Sequence, residues 1–198
     1  MKLLSHNEYY GLQYTDESYE DSEFEYIEFH ECTFKRCSFE RTQFKSCIFI
    51  SCRFDACKFS LAKIDDSTFT HNHFEDSQLV GINWSLASDS DSKMLKPFDF
   101  YKCILNYSIF MGTNLREISI VGCMVKEADF SDANLSRVNA SESDFSGSRF
   151  VQTNLTEADF SSARNYRINA SHNILKRTKF SLPEAMSLLH SLDIELVE

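Results

Sequence analysis

Glycine and proline, the usual punctuation of a turn-rich chain, number only five and two among 198 residues, so the turns of this protein must be made by other side chains. No run of about 18 apolar residues is present. The start, Met1-Lys2-Leu3-Leu4-Ser5-His6-Asn7-Glu8, turns polar before the core of a secretory signal can form, which excludes a transmembrane helix and leads us to expect a soluble, cytoplasmic protein. Basic charge is also short. Lys plus Arg amount to 20 against 30 Asp plus Glu, a formal net charge of −10, and such a chain repels phosphate backbones and anionic lipid; direct binding of nucleic acid or membrane is not expected. Glycine-rich phosphate loops and a GxSxG turn are missing, which argues against catalysis and against a nucleotide cofactor. The seven cysteines are an odd number without an export signal, a pattern of reduced thiols rather than of a disulfide framework.

Phenylalanine, by contrast, is abundant at 18 residues. It occurs at 24, 29, 34, 39, 44, 49, 54 and 59, and the spacing of five continues through Ile64, Phe69, Phe74, Leu79 and Trp84, thirteen apolar residues in succession. After an irregular stretch the spacing resumes, displaced by one, from Phe100 through Leu105, Phe110, Leu115, Ile120 and Val125 to Phe180, with Asn165 the one polar member among seventeen. Tyr9, Tyr14 and Tyr19 extend the first register backwards. A period of five fits neither the 3.6 of a helix nor the 2.0 of a strand. Two residues before each large centre stands a smaller one, among them Cys32, Cys37, Thr42, Cys47, Cys52, Cys57, Ser67 and Ser77, then Cys103, Ser108, Cys123, Ala128, Ala133 and Ser143. A chain that bends after every pentad and closes after four makes a square coil of 20 residues, with the large side chains inside and successive coils paired through their backbones at about 4.8 Å.

All seven cysteines occupy the small inward position. Pairs 20 apart, such as Cys32 and Cys52, stack with parallel side chains and do not converge on a tetrahedral site, so no metal is expected and the thiols serve as small buried hydrophobes. His30, His71, His73 and His172 fall at outward or corner positions, and His6 and His190 lie outside the coils; none is fixed beside a nucleophile, and a solvated surface role is expected for them.

Two segments depart from the period. Ser85 to Pro97 carries the register shift, and about Leu86 to Ser92 is expected to project from the coil; a polar Ser/Asp segment there is either a tolerated insertion or a partner-contacting element. At the C-terminus Ser181-Leu182-Pro183-Glu184 reads as a helix start with a capping box and Pro in the first turn. Leu182, Ala185, Met186, Leu188, Leu189 and Leu192 then form an apolar stripe, followed by a short strand over residues 193–197. The helix should cover the open end of the last coil. Its apolar surplus, Met186, Leu188, Leu189 and Leu192 with Ile194 and Leu196, is assigned to a two-fold homodimer interface. The organisation is thus residues 1–19, an N-terminal extension or frayed coil; 20–84, a first block; 85–97, the irregular segment; 98–180, a second block; and 181–198, the C-terminal helix and strand.

Ala128-Asp129-Phe130-Ser131-Asp132, Ala133-Asn134-Leu135-Ser136-Arg137, Thr153-Asn154-Leu155-Thr156-Glu157 and Ala158-Asp159-Phe160-Ser161-Ser162 match the A(D/N)LXX motif, and on them the chain resembles the pentapeptide-repeat proteins. The first block replaces Ala-Asp-Leu by Cys-Xaa-Phe. The resemblance implies an all-β fold, a right-handed quadrilateral β-helix with a C-terminal capping and dimerisation helix. The ending Phe180 to Ala185, Leu188-Leu189 and Ser191 to Leu196, together with Gly81-Ile82-Asn83-Trp84, Cys103 to Asn106 and Asn165-Tyr166, resembles the albicidin-resistance members and, more distantly, the Qnr and microcin-immunity groups. That implies a non-catalytic acidic dimer that binds DNA gyrase, or topoisomerase IV, and protects it from poisons by imitating duplex DNA. An interaction scaffold with no topoisomerase target is the alternative.

Charge bears on the imitation. Thirty pentads make a monomer about 36 Å long and a head-to-head dimer about 75 Å; DNA of that length carries roughly 44 charges, whereas the dimer carries twice the −10 of one chain. The acidity is also uneven: residues 1–34 hold nine acids and one base, net −8, while residues 35–84 are +1, 85–97 neutral and 98–198 net −3. The regular faces are too weakly charged to imitate DNA alone, so orientation on a partner falls to the irregular segment, with Asp89, Asp91, Lys93 and Met94 as contacts and Trp84 anchoring its base.

Overall fold

The computed structural model describes residues 3–88, 96–192 and 194. The chain winds into an all-β, parallel solenoid of about eight square coils, with very little helix. Each coil contributes one pentad to each of four faces. On the first face the strands Glu8–Tyr10, Glu28–His30, Ile48–Ile50 and Thr68–Thr70 form a four-stranded parallel sheet. On the second, Gln13–Thr15, Thr33–Lys35, Arg53–Asp55, Asn72–Glu75, Phe98–Tyr101 and Ile120–Val121 form a six-stranded one. The centres align at the period of 20: Tyr9 opposite Phe29, Phe29 opposite Phe49, Phe49 opposite Phe69.

Burial follows the pentad. Tyr14, Phe34, Phe54, Phe74 and Phe100 form one aromatic column with ring centroids 4.6–5.3 Å apart, and neighbouring columns meet edge-on, as Phe29 does with Phe34 at 5.2 Å. Stacked and T-shaped pairs each add about 0.5–1.5 kcal/mol beyond the area they bury. The N-terminal residues take part: Tyr9, Tyr14 and Tyr19 are buried, and Leu3 lies beneath the first coil, where the Leu4 amide donates to the Tyr9 hydroxyl at 2.9 Å.

The small inward position has a chemical role that size alone did not suggest. The Cys57 thiol donates to the carbonyl of Phe34 one coil back at 3.3 Å, Cys52 to Phe29 at 3.4 Å, Thr42 to Tyr19 at 2.7 Å and Ser143 to Ile120 at 2.7 Å. Several of these side chains also accept, Ser67 from the Cys47 amide at 3.0 Å and Asn72 from the Cys52 amide at 2.9 Å. A centre pointing inward leaves its carbonyl at a corner without a strand partner, and a short donor satisfies it. All seven cysteines are free and buried, and burial pushes the Cys47 and Cys103 thiols up.

The corners replace the missing glycines with strained backbone. Outside the coil of the insertion and the last coil, the residue two after the centre is left-handed whatever its side chain, for example Asp16 (φ 57), Arg36 (φ 52), Leu61 (φ 60), Tyr107 (φ 60) and Glu127 (φ 54). That conformation costs an L-residue roughly 1–2 kcal/mol. It turns each corner amide onto the coil above, Asp16 to Lys35 at 3.0 Å, Arg36 to Asp55 at 2.8 Å and Asp132 to Val151 at 2.8 Å, and the ladder so formed offsets the strain.

The irregular segment begins later than the sequence suggested. The Asp66 amide donates to the Leu86 carbonyl at 3.0 Å, the Ser88 amide to Ser67 at 3.0 Å, and Thr68 bridges Ser88; Trp84–Leu86 is a short 3-10 turn capped by Asn83. Leu86 to Ser88 therefore belong to the coil and do not project. The chain is back in register when Lys96 accepts from His71 at 2.8 Å and Phe98 pairs with Asn72. Partners are 20 apart at Thr68 and Ser88 and 26 apart at Asn72 and Phe98, so residues 89–95 contain six residues more than the coil requires.

At the C-terminus the expected α-helix is a 3-10 segment, Glu184–Leu192. The capping-box residues are not used as a box. Ser181 accepts the Ser162 amide at 3.1 Å, Glu184 accepts the Asn165 amide and Ser191 accepts the Ala170 amide at 3.1 Å. The last coil has no coil above it to take these amides, and drawing Ser181 and Glu184 onto them removes the side chains that would have capped an α-helix. Ile194 is not in a strand; the rest of the expected strand lies outside the described residues.

Candidate partner-binding surfaces

The insertion, the N-terminal tip and the C-terminal end break the uniformity of the rod. Asp89, Asp91, Lys93 and Met94 lie outside the described residues, but the ground on either side of them is well defined. Trp84 is buried at the fourth-face centre of the coil before the insertion. Phe98, two residues after Lys96, occupies a small inward position, and its ring lies 4.5 Å from Trp84. Trp84 also meets Phe69 at 5.6 Å, Phe100 at 5.5 Å and Phe110 at 6.0 Å, so both ends of the segment are clamped to one aromatic cluster. Its indole Nε1 is buried without a partner. Register is held on the other faces past the insertion, with Gln78 bridging Ile104 and Asn83 bridging Ile109.

The acidic tip is more neutral than its sequence. Arg36 forms a two-bond pair with Asp16 at 2.6 and 2.7 Å, Arg41 does the same with Asp21 at 2.7 Å, and Lys45 reaches Glu25 at 3.4 Å. The cations come from the second coil, whose residues lie 20 further on. Those guanidinium hydrogen bonds hold the Asp16 and Asp21 carboxyls below their usual range. In the second block Arg137 pairs with Glu117 at 3.0 Å and Glu157 at 2.9 Å. Spacing by 20 is the signal that finds these pairs in sequence.

Of the residues assigned to a dimer, Leu188 packs against the core and Leu189 is half-buried. Met186 is 44 % exposed, Leu192 48 % and Ile194 51 %; Leu196 lies outside the described residues. Leu182 is the most exposed apolar side chain of this end. His73 stacks on Tyr101 at 4.9 Å and His30 on Tyr10 at 4.5 Å. Among the described residues no group of three or more His, Cys, Asp or Glu is placed to hold a metal ion, and no helix is long and apolar enough to cross a membrane.

The family described as Pentapeptide repeat region matches residues 27–96 and 90–160. A trypsin-treated form of QnrB1, a plasmid-mediated fluoroquinolone resistance protein, superposes with a TM-score of 0.73 over 98 % of this chain and 100 % of that one at 18 % identity. HetL, a pentapeptide repeat protein involved in heterocyst differentiation regulation from the cyanobacterium Nostoc sp. strain PCC 7120, superposes with a TM-score of 0.51 over 89 % and 88 % at 16 % identity. No curated protein matches in sequence. At these identities the likeness is one of fold.

Proposed function

Because the chain belongs to the pentapeptide-repeat family, we propose that it is a non-catalytic rod that binds DNA gyrase, or the related topoisomerase IV, and protects it from a poison such as albicidin or a fluoroquinolone. The observation that carries this reading is an acidic rod whose backbone ladder passes the six-residue insertion without losing register, which leaves residues 89–95 as a contact element clamped at Ser88 and Lys96. A net charge of −10 favours approach to a basic DNA channel, while pairing of Asp16, Asp21 and Glu25 with the second coil moves the burden of recognition from the tip to shape and to Asp89, Asp91, Lys93 and Met94. Trp84 anchors that element through Phe98. Fold likeness to a fluoroquinolone resistance protein supports the target class. The resemblance of the C-terminal sequence to albicidin-resistance members supports the poison. Cytoplasmic location follows from the target.

Two copies join through the exposed Met186, Leu192 and Ile194 with Leu189 and Leu196. Replacing both Met186 and Leu192 by Lys should give a monomer by light scattering; a persistent dimer would place the interface elsewhere.

The test is gyrase supercoiling with and without drug. The parent should restore supercoiling in drug, and a variant lacking residues 89–94, which restores the period of 20, should keep its circular dichroism and lose protection. Equal protection by the deletion would make the insertion a tolerated one. A parent that neither binds nor protects the enzyme would leave the scaffold reading, which the likeness to HetL keeps in view.

A further inference from the structure

The corner between the third and fourth faces, across the rod from Ser88 and Lys96, has a surface unlike the rest. Leu61 (58 % exposed), Gly81 and Tyr107 (63 %) follow one another up the corner. Leu61 leans over Gly81 so closely that a Cβ there would meet its Cδ2 at 2.9 Å. On the third face Ile104 bridges Met124, and on the fourth Ile109 follows Asn83, with Met111 beside it; Met124, Ile109 and Met111 are exposed by 39, 37 and 49 %. Five of the exposed large apolar side chains of the rod, Leu61, Tyr107, Ile109, Met111 and Met124, thus fall on this corner and the two faces beside it.

The charge around them is reversed. The segments that build this stretch of the corner, residues 56–64, 77–83 and 102–111, contain Lys58, Lys63 and Lys102 and no Asp or Glu, in a chain with 30 acids; Glu40 and Asp76 bound it on one side, and on the other the next coil brings Lys126 and Glu127 above Tyr107. Most cations elsewhere are paired along the coils, as Arg36, Arg41, Arg53 and Arg137 are. Lys126 reaches Asp144 at 3.9 Å, whereas Lys58, Lys63 and Lys102 have no ion pair among the described residues. Of the nearest acids toward the C-terminus, Glu127 is folded over Gly147, where a Cβ would meet its carboxylate, and Asp129 is engaged by the Ser131 amide at 2.9 Å.

From this juxtaposition we infer that the corner around Leu61, Tyr107 and Ile109 docks an acidic segment of another protein, with apolar side chains seated on the corner and carboxylates on Lys58, Lys63 and Lys102. A second copy brought by a two-fold axis would set lysine against lysine. Nucleic acid would leave the aliphatic centre unused and meet a chain of net negative charge. The surface lies across the rod from Ser88 and Lys96, where residues 89–95 join the coil.

The test uses the full chain and a short fluorescein-labelled peptide in which Glu alternates with Leu and Phe, followed by anisotropy; its control carries Lys for every Glu. Two variants take residues already found at equivalent positions and so preserve the coil: Tyr107→Glu, since Glu117, Glu127 and Glu157 occupy the same left-handed corner position, and Lys58→Gln with Lys63→Gln, since Gln78 and Gln43 stand one coil away. The acidic peptide should bind the parent, each variant should bind it at least about tenfold more weakly, and the control should not bind. Both variants should protect gyrase, if the parent does, as the parent does, which separates this surface from the function proposed above. No binding at millimolar peptide, equal binding of the control, or unchanged binding by both variants overturns the proposal. So does tighter binding of a duplex oligonucleotide abolished by the lysine variant, or a self-association of the parent, seen by light scattering, that Tyr107→Glu removes.

Discussion

The two blocks of the rod obey one period and differ in how their pentads turn. In the first, pentads of the first two faces with Glu8, Gln13, Glu28, Thr33, Ile48 or Arg53 before the centre are three-residue strands, while the third face, with Ser18, Ser38, Lys58 and Gln78 there, pairs through isolated bridges. In the second block the residue before the centre is mostly Asp or Asn, and most pairings there shrink to isolated bridges. Side-chain bonds accompany the turns of the second block: Asp129 accepts the Ser131 amide at 2.9 Å, Asn134 that of Ser136 at 3.1 Å, Asn154 that of Thr156 at 3.0 Å and Asp159 that of Ser161 at 2.9 Å. A short Asx side chain bonding two residues ahead closes a local turn in place of an extended strand. The polar residue of the motif thus reinforces the turn, and the third face of the first block makes the same bridges at Ser18, Ser38, Lys58 and Gln78 without it, over stacked aromatic rings.

Breaking the aromatic side of this contrast should have the largest effect. Phe54 is fully buried between Phe34 at 5.0 Å and Phe74 at 4.6 Å, and Phe54→Ala should cost about 3–5 kcal/mol in denaturant unfolding; unchanged stability would mean the column is not close-packed. In the second block, the Asp144 side chain is only 11 % exposed. Burial would raise its carboxyl, but hydrogen bonds from Ser146 and Asn165 and the charge of Lys126 outweigh burial and lower it from 3.8 to about 2. Since the folded value is the lower one, its stabilisation is present above the unfolded pKa and is lost as pH falls from about 4 toward 2. Asp144→Asn should cost about 1–2 kcal/mol near neutral pH and flatten that acid slope.

A smaller effect, about 1 kcal/mol, is expected of Asn134→Ala, which removes the turn bond and the Asn ladder to Asn114 at 3.0 Å and Asn154 at 3.3 Å. The same change at Gln43, which closes no turn, should be smaller still, and equal losses at both sites would dissolve the contrast between blocks. Thiol accessibility sharpens it further: all seven cysteines should react with a thiol reagent after denaturation and few or none before, and fast labelling of Cys103 or Cys123 alone would show that the second block opens first.

Much of the architecture was legible because a period of five leaves a mark in every pentad: centres, small positions and coil length all followed from Phe24 to Phe59 and their continuation. The ends and the interruption were less so. Leu86 to Ser88 look like loop by composition, yet the Asp66 and Ser67 backbone groups one coil below draw them into the ladder. Ser181 and Glu184 look like a capping box, yet the unpaired amides of Ser162 and Asn165 compete for them. The dimer candidates divided in the same way, since Leu188 is taken by the core while Met186 and Leu192 are left outside.

The sequence by itself determined the coil: inward side chains every five residues leave one way to bury 18 phenylalanines in a chain this size. What the tertiary structure decided was which side chains bond across the 20-residue step and where that step becomes 26. Winding brings Arg36 onto Asp16 and leaves Lys58 and Lys63 without an ion pair among the described residues, because ion pairing on a solenoid is set largely by what stands in the next coil.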